Sequence, residues 1–180
     1  METAATDVPE LLEVSGLSVE FRTREQRVVA VRDLSFAVRP GETVALVGES
    51  GSGKSVTALS ILRLIEREGG TITGGSIRFR PAEGSAIDIL KLVEADLRRI
   101  RGNAISMIFQ EPMTSLNPVM RIGTQLAEVL KLHQGMSHGA ALAEGKRMLD
   151  MVRIPAASSR LEQFPHELSG GMRQRVMIAM

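Results

Sequence analysis

The chain has 180 residues, with 22 lysines and arginines against 21 aspartates and glutamates, for a formal net charge of +1. That balance lacks the clustered basic excess of a nucleic-acid footprint, and a hydrophobic content of 43% argues against disorder. The absence of cysteine excludes disulfides and thiolate metal sites, no apolar run is long enough to span a bilayer, and the acidic stretch Met1 to Leu12 lacks the basic start and apolar stretch of a signal peptide.

Val14 to Phe21 alternates apolar and polar residues, which predicts a half-buried strand. Val29, Val31, Leu34, Phe36 and Val38 predict a second, bent near Asp33. Pro40-Gly41-Glu42 reads as a turn. Thr43 to Val47 is almost continuously apolar, as in a strand covered on both faces. Val56, Leu59, Ile61, Leu62 and Ile65 recur at helical spacing until Gly69-Gly70. Thr71 to Phe79 predicts another strand, Pro81 to Ser85 a loop, and Ala104 to Phe109 a further buried strand. Beyond this the pattern turns helical. Ile122, Leu126, Val129 and Leu130 mark a helix ended by Gly135; Leu142, Leu149 and Val152 mark another, closed before Pro155. There is no internal repeat.

Between the third predicted strand and the first helix lies Gly48-Glu49-Ser50-Gly51-Ser52-Gly53-Lys54-Ser55, of the form G-x-x-x-x-G-K-[ST]. A phosphate concentrates negative charge, so its holder must point many N–H groups at one place. Gly51 and Gly53 allow the backbone to curl into such a nest, and the helix that follows aims its positive end there. Lys54 adds a full charge for the β- and γ-phosphates, and the Ser55 hydroxyl suits Mg²⁺. The strand–loop–helix setting separates the motif from a chance glycine-rich turn.

Leu168-Ser169-Gly170-Gly171-Met172-Arg173-Gln174 is a second glycine-centred loop before a helix. By itself it reads equally well as a plain helix cap. Gln110, at the end of a predicted strand, stands where open α/β sheets bind ligands, yet alone it reads as an ordinary solvated amide.

In this order and spacing the three segments resemble the ATP-binding subunit of ABC transporters, from about Glu10 to Met180. The resemblance implies an α/β, P-loop NTPase fold of the ABC nucleotide-binding type, with a mixed β core and a helical subdomain. It divides the chain into an N-terminal tail (1–12) and an incomplete nucleotide-binding domain (13–180). Within that domain 13–111 is the phosphate-loop core, 112–168 the helical subdomain and 169–180 the start of the signature helix. It implies ATP and Mg²⁺ as ligands. Gly48, Ser50, Gly51, Ser52, Gly53, Lys54, Ser55 and Val56 would hold the phosphates, with Ser55 and Gln110 at the metal. Ser169, Gly170, Gly171 and Gln174 would act as the signature, closing in trans over ATP held by a second nucleotide-binding domain. Phe21 matches the position that stacks on adenine, with Val28 to Val31 bordering the base; a core strand aromatic is the other reading of Phe21.

The wording from Gln110 to Pro118 and from Ser169 to Ala179 is similar to the peptide-importer group, which takes up dipeptides, oligopeptides, nickel complexes or glutathione. Lys131 to Gln134 and Lys146 to Asp150 are nearest the glutathione-importing branch. The expected partners are the second domain, two membrane permease subunits and, indirectly, a periplasmic solute-binding protein. The expected place is the cytoplasmic face of a bacterial inner membrane, as a peripheral subunit; no nucleic-acid partner is expected. A DNA-repair or chromosome-organising ATPase is the alternative, disfavoured because about 110 residues without sustained heptads separate the two glycine loops.

Members of the family hydrolyse ATP with an Asp and Glu that end an apolar strand (Walker B) and with a later His. None of Asp88, Glu94, Asp96 or Asp150 ends such a strand beside a Glu. His133 and His138 have poor metal spacing, and His166 precedes the signature. The chain is therefore expected to be truncated before the Walker B strand. It should bind ATP without turning it over, as a partial record or a truncated non-catalytic product, and to be insoluble or partly folded alone.

Overall fold

The computed structural model describes residues 9–23, 26–82, 84–109 and 116–180. They form two compact units, Met1–Ile105 and Ser106–Met180.

In the first unit β1 (Leu12–Arg22), β2 (Arg27–Val38), β3 (Gly70–Phe79) and β4 (Ile87–Asp88) form an antiparallel sheet in the order β2-β1-β3-β4. A simple alternation would put Val14 and Leu17 on opposite faces. Both are buried, as is Val19, because the pairing slips between Val14 and Leu17. β2 makes the corresponding slip at Asp33, whose φ of 49° is left-handed, near the position where a bend is expected. β3 bulges at the same level through Gly75 (φ 97°), where a Cβ would stand 2.6 Å from the Ser15 carbonyl oxygen. Hydroxyls replace ladder bonds lost there: Gly16 N–H donates to Ser35 Oγ (2.8 Å) and Asp33 N–H to Ser18 Oγ (3.0 Å). The core beneath this sheet joins Val14, Leu17, Val19, Ile65, Ile77 and Ile89, among others.

α1 (Lys54–Ile61) is shorter than its apolar spacing predicts. Arg63, at φ 51°, turns the chain out of the helix, and Ile65–Glu68 forms a 3₁₀ turn closed by left-handed Gly69. α2 (Glu94–Ile100) follows β4.

Two expectations fail. Thr43 to Val47 is not a strand: it is exposed throughout, Val47 at 87%, and pairs with no strand among the described residues. Ala104 to Phe109 is likewise not a strand, with a single bridge from Ile105 to Arg101, and Ile108 and Phe109 are exposed. A strand exists only through its neighbours, so an apolar run without a partner gains no ladder and no cover.

The second unit is helical: α3 (Ile122–Gln134), α4 (His138–Met151), α5 (Ala157–Leu161) and α6 (Gly170–Ala179). Gly135 ends α3 in the left-handed conformation and Ser137 caps α4 through the Ala140 amide, matching the predicted stop and restart. α3 lies close on α4 because Gly145 leaves room for Leu126. The core holds Leu116, Ile122, Leu126, Leu149, Leu168 and Val176, among others. Among the described residues no helix is long and apolar enough to cross a membrane.

Candidate functional site

The first glycine loop turns directly into α1. Gly51 (φ 81°) and Gly53 (φ 89°) are both left-handed, which no L side chain adopts without strain. Gly53 also faces β2: a Cβ there would stand 2.6 Å from the Ala30 carbonyl oxygen. Glycine is thus required twice over, by conformation and by space.

Gly53 is the N-cap of α1, with no side-chain cap and no acidic residue in the first turn. The positive end of the helix is left to whatever the loop holds. Lys54 Nζ folds back over the loop, donating to the carbonyl oxygens of Gly48 (2.8 Å) and Glu49 (2.6 Å) and to Ser52 Oγ (3.3 Å). The cation therefore sits where the loop converges. Ser50, Ser52 and Ser55 are exposed, and Val56 is half-buried against the core. Thr57 anchors the first turn, its hydroxyl donating to the Gly53 carbonyl (2.9 Å). A cavity of about 250 Å³ opens between loop and β2, lined by Ala30, Val31, Leu34, Leu46, Ser52 and Lys54, among others.

Phe21 lies on β1, paired with Val28 and Gly70. Its ring is half-buried against the sheet core, close enough to Gly70 that a Cβ there would stand 3.1 Å from the ring tip. Gln110 lies outside the described residues.

In the helical unit Ser169, Gly170 and Gly171 are exposed at the start of α6, and a Cβ on either glycine would meet nothing within 4 Å. Ser169 Oγ accepts from the Met172 amide (3.4 Å), so the cap is made, and Gln174 points to solvent.

The carboxylates weighed from the sequence are engaged elsewhere. Asp88 accepts from the Leu90 amide and pairs with Lys91. Glu94 lies among Arg67, Arg98 and Arg101, Asp96 pairs with Arg99, and Asp150 with Lys146. Burial pulls the Glu94 carboxyl up, but the Arg101 guanidinium beside it, helped by Arg67 and Arg98, outweighs this and holds it below the ordinary glutamate range. His166 stacks on Phe164, ring centroids 5.7 Å apart.

Sequence reasoning passed over Gln125, which is buried within α3 and bonded to the turn before it. Its signal is a polar residue on the apolar stripe of Ile122, Leu126 and Val129.

The chain is 55% identical over 174 residues to a glutathione import ATP-binding protein, GsiA, of Salmonella typhimurium, covering 97% of this chain and 28% of that protein. It is 56% identical over 170 residues to BAB2_0817 of Brucella abortus, named for peptide import and ATP binding, covering 94% of this chain and 50% of that one. The chain thus spans between about a quarter and a half of the length of these relatives. A dimeric ATP-binding cassette, MJ0796, solved with ADP and Pi, superposes with a TM-score of 0.78 at 24% identity, over 93% of this chain and 67% of that one, and so shares the fold. The ABC transporter family profile matches residues 31–180, and the chain belongs to that family.

Proposed function

We propose that this chain is the nucleotide-binding part of an ATPase that powers import of a peptide-like solute, glutathione being the named substrate of one group of relatives. The observation that carries this is the uncapped N-terminus of α1, with Gly51 and Gly53 left-handed and Lys54 Nζ drawn over the loop. Amides and one ammonium facing a common point fit a polyphosphate.

In this reading the amides from Gly51 to Val56 take the β- and γ-phosphates, with Gly48, Ser50 and Ser52 shaping the loop. Lys54 leaves its carbonyl partners for the phosphate oxygens. The exposed Ser55 hydroxyl, with Gln110, would hold Mg²⁺, which would neutralise the phosphates. Phe21 stacks on adenine with the part of its ring that the sheet core leaves uncovered. Ser169, Gly170, Gly171 and Gln174 meet the nucleotide of a second domain; the open space over both glycines supports this.

The partners are that second domain, two membrane permease subunits and, through them, a periplasmic solute-binding protein, at the cytoplasmic face of the inner membrane. A groove of about 530 Å³ on α3, lined by Met120, Ala127 and exposed Leu132 among others, supports a docking role for the helical unit. Two ATPs would close the paired domains and hydrolysis would release them, driving the permease between states. Because none of Asp88, Glu94, Asp96 and Asp150 ends an apolar strand beside a Glu, residues 1–180 alone are proposed to bind ATP without hydrolysing it.

The test is binding of a fluorescently labelled ATP, since the chain has no Trp or Tyr to report it. Lys54→Ala is expected to weaken binding by about tenfold or more, the worth of a charge-assisted bond. Unchanged affinity in that variant refutes the phosphate-loop assignment. Steady phosphate release from purified 1–180, lost with Lys54→Ala, refutes the claim of binding without turnover.

A further inference from the structure

Three polar residues are buried among those described: Thr57, Ser60 and Gln125. The first two return their hydroxyls to their own helix, to the Gly53 and Val56 carbonyls. Gln125, 5% exposed, sends every bond out of its helix. Its Oε1 accepts from the Asn117 amide, and its Nε2 donates to the carbonyl oxygens of Asn117 and Met120, each at 2.9 Å. The side chain thus pairs with Asn117 as a neighbouring backbone would. The reverse amide orientation would face N–H against N–H, so the assignment is forced.

A buried amide on an apolar stripe adds little stability over a packed aliphatic residue, but it permits one arrangement of its partners. Here the arrangement is the turn Asn117–Met120, closed again by Asn117 Oδ1 accepting from the Val119 amide (3.1 Å). That turn runs into the first turn of α3, which grips a second segment. Ile122 N–H donates to the Gln163 carbonyl (2.9 Å). Arg121 pairs with Glu162 and lies 5.8 Å over the Phe164 ring. Phe164 N–H in turn donates to Glu167 (2.7 Å), next to buried Leu168 and the Ser169 cap of α6. An unbroken series of contacts inside the helical unit joins Gln125 to the second glycine loop.

We propose that Gln125 is a positioning residue for the Ser169–Gly171 loop. It locks the Asn117–Met120 turn onto α3, and the first turn of α3 passes that register to residues 162–168. The kinetic half of its test rests on the proposed role of that loop in ATP hydrolysis; the exchange half does not.

The experiment compares full-length wild type with Gln125→Met and Gln125→Glu. In Gln125→Met, amide hydrogen exchange is expected to rise about tenfold both at 117–120 and at 163–172, with the rest unchanged. ATP turnover should fall about tenfold in kcat with KM within about twofold, because phosphate-loop binding is untouched. Gln125→Glu keeps the acceptor for Asn117 N–H but sets a carboxylate against two carbonyl oxygens, which raises its pKa. Its defect should therefore shrink as pH drops from about 8 to about 6, where the acid regains a donor. Faster exchange confined to 117–120 overturns the proposal, making Gln125 a local anchor. So does a fall in kcat that matches the loss of folded fraction, with exchange rising throughout the helical unit. A wild type without ATPase activity sinks the functional reading instead, and exchange at 163–172 still decides on Gln125. Should Gln125→Met fail to fold, the pH dependence of exchange in Gln125→Glu carries the same decision.

Discussion

At the residue scale, Gly53 is the position with least freedom. It combines a φ of 89° with a built Cβ only 2.6 Å from backbone oxygen in β2, and backbone cannot swing aside as a side chain can. Gly53→Ala is expected to destabilise the first unit by about 1–3 kcal/mol and to abolish nucleotide binding. A melting temperature within a degree or so of wild type would show that the loop is not held against Ala30. Ser169 makes a contrasting case, because its hydroxyl already caps α6 through the Met172 amide. Ser169→Ala should cost about 1 kcal/mol of helical-unit stability by removal of the cap alone. Ser169→Asp keeps a cap but adds charge where a phosphate is proposed to sit, so in the full-length protein it should hold the melt and lose turnover. The left-handed glycines before α1 and the Ser169 cap of α6 were legible from sequence because each needs a particular residue type at a fixed place. Gln125 was not, because a glutamine in an amphipathic helix looks solvated until its partners, eight and five residues earlier, are known to fold back on it.

At the element scale, α1 is held at both ends by groups outside it. Its start carries the glycine loop, and beyond its end Arg101 Nε donates to the Leu62 carbonyl (2.8 Å) while Arg101 also pairs with Glu94 (2.8 Å). Arg63 reciprocates, donating to the Leu92 carbonyl (2.7 Å). The Glu94 carboxyl titrates lower in the folded chain than in the unfolded one. Its contribution is therefore complete above the unfolded value of about 4.3 and is lost as pH falls through the lower folded value. Denaturant midpoints between about pH 6 and pH 3 should decline for wild type, and the decline should be shallower in Glu94→Gln. An identical slope in the two proteins would mean that Glu94 does not link pH to folding. The bulges of β1, β2 and β3 belong to this scale too. The bend near Asp33 could be read from the sequence. That Gly16 and Gly75 sit at the same level could not, since only cross-strand register aligns them.

At the scale of the whole molecule, apolar segments lie open in both units. Val44, Leu46 and Val47 in the first, and Ile108 and Phe109 in the second, are each more than 40% exposed. Strand-forming sequence without a pairing partner is a template for association between chains. Residues 1–180 alone are expected to self-associate, with light scattering rising with concentration, and Val47→Lys should reduce it. A monodisperse monomer with one sharp melt would contradict this expectation. The sequence by itself determined the glycine loop before α1, the helical second half and the family, because those rest on local spacing and residue chemistry. Only the tertiary structure decided that Thr43 to Val47 and Ala104 to Phe109 form no strand among the described residues, that α1 stops at Ile61, and that Gln125 is buried. Strand pairing, helix termination and the satisfaction of a buried amide depend on partners distant in the chain, and no local pattern records whether such a partner is present.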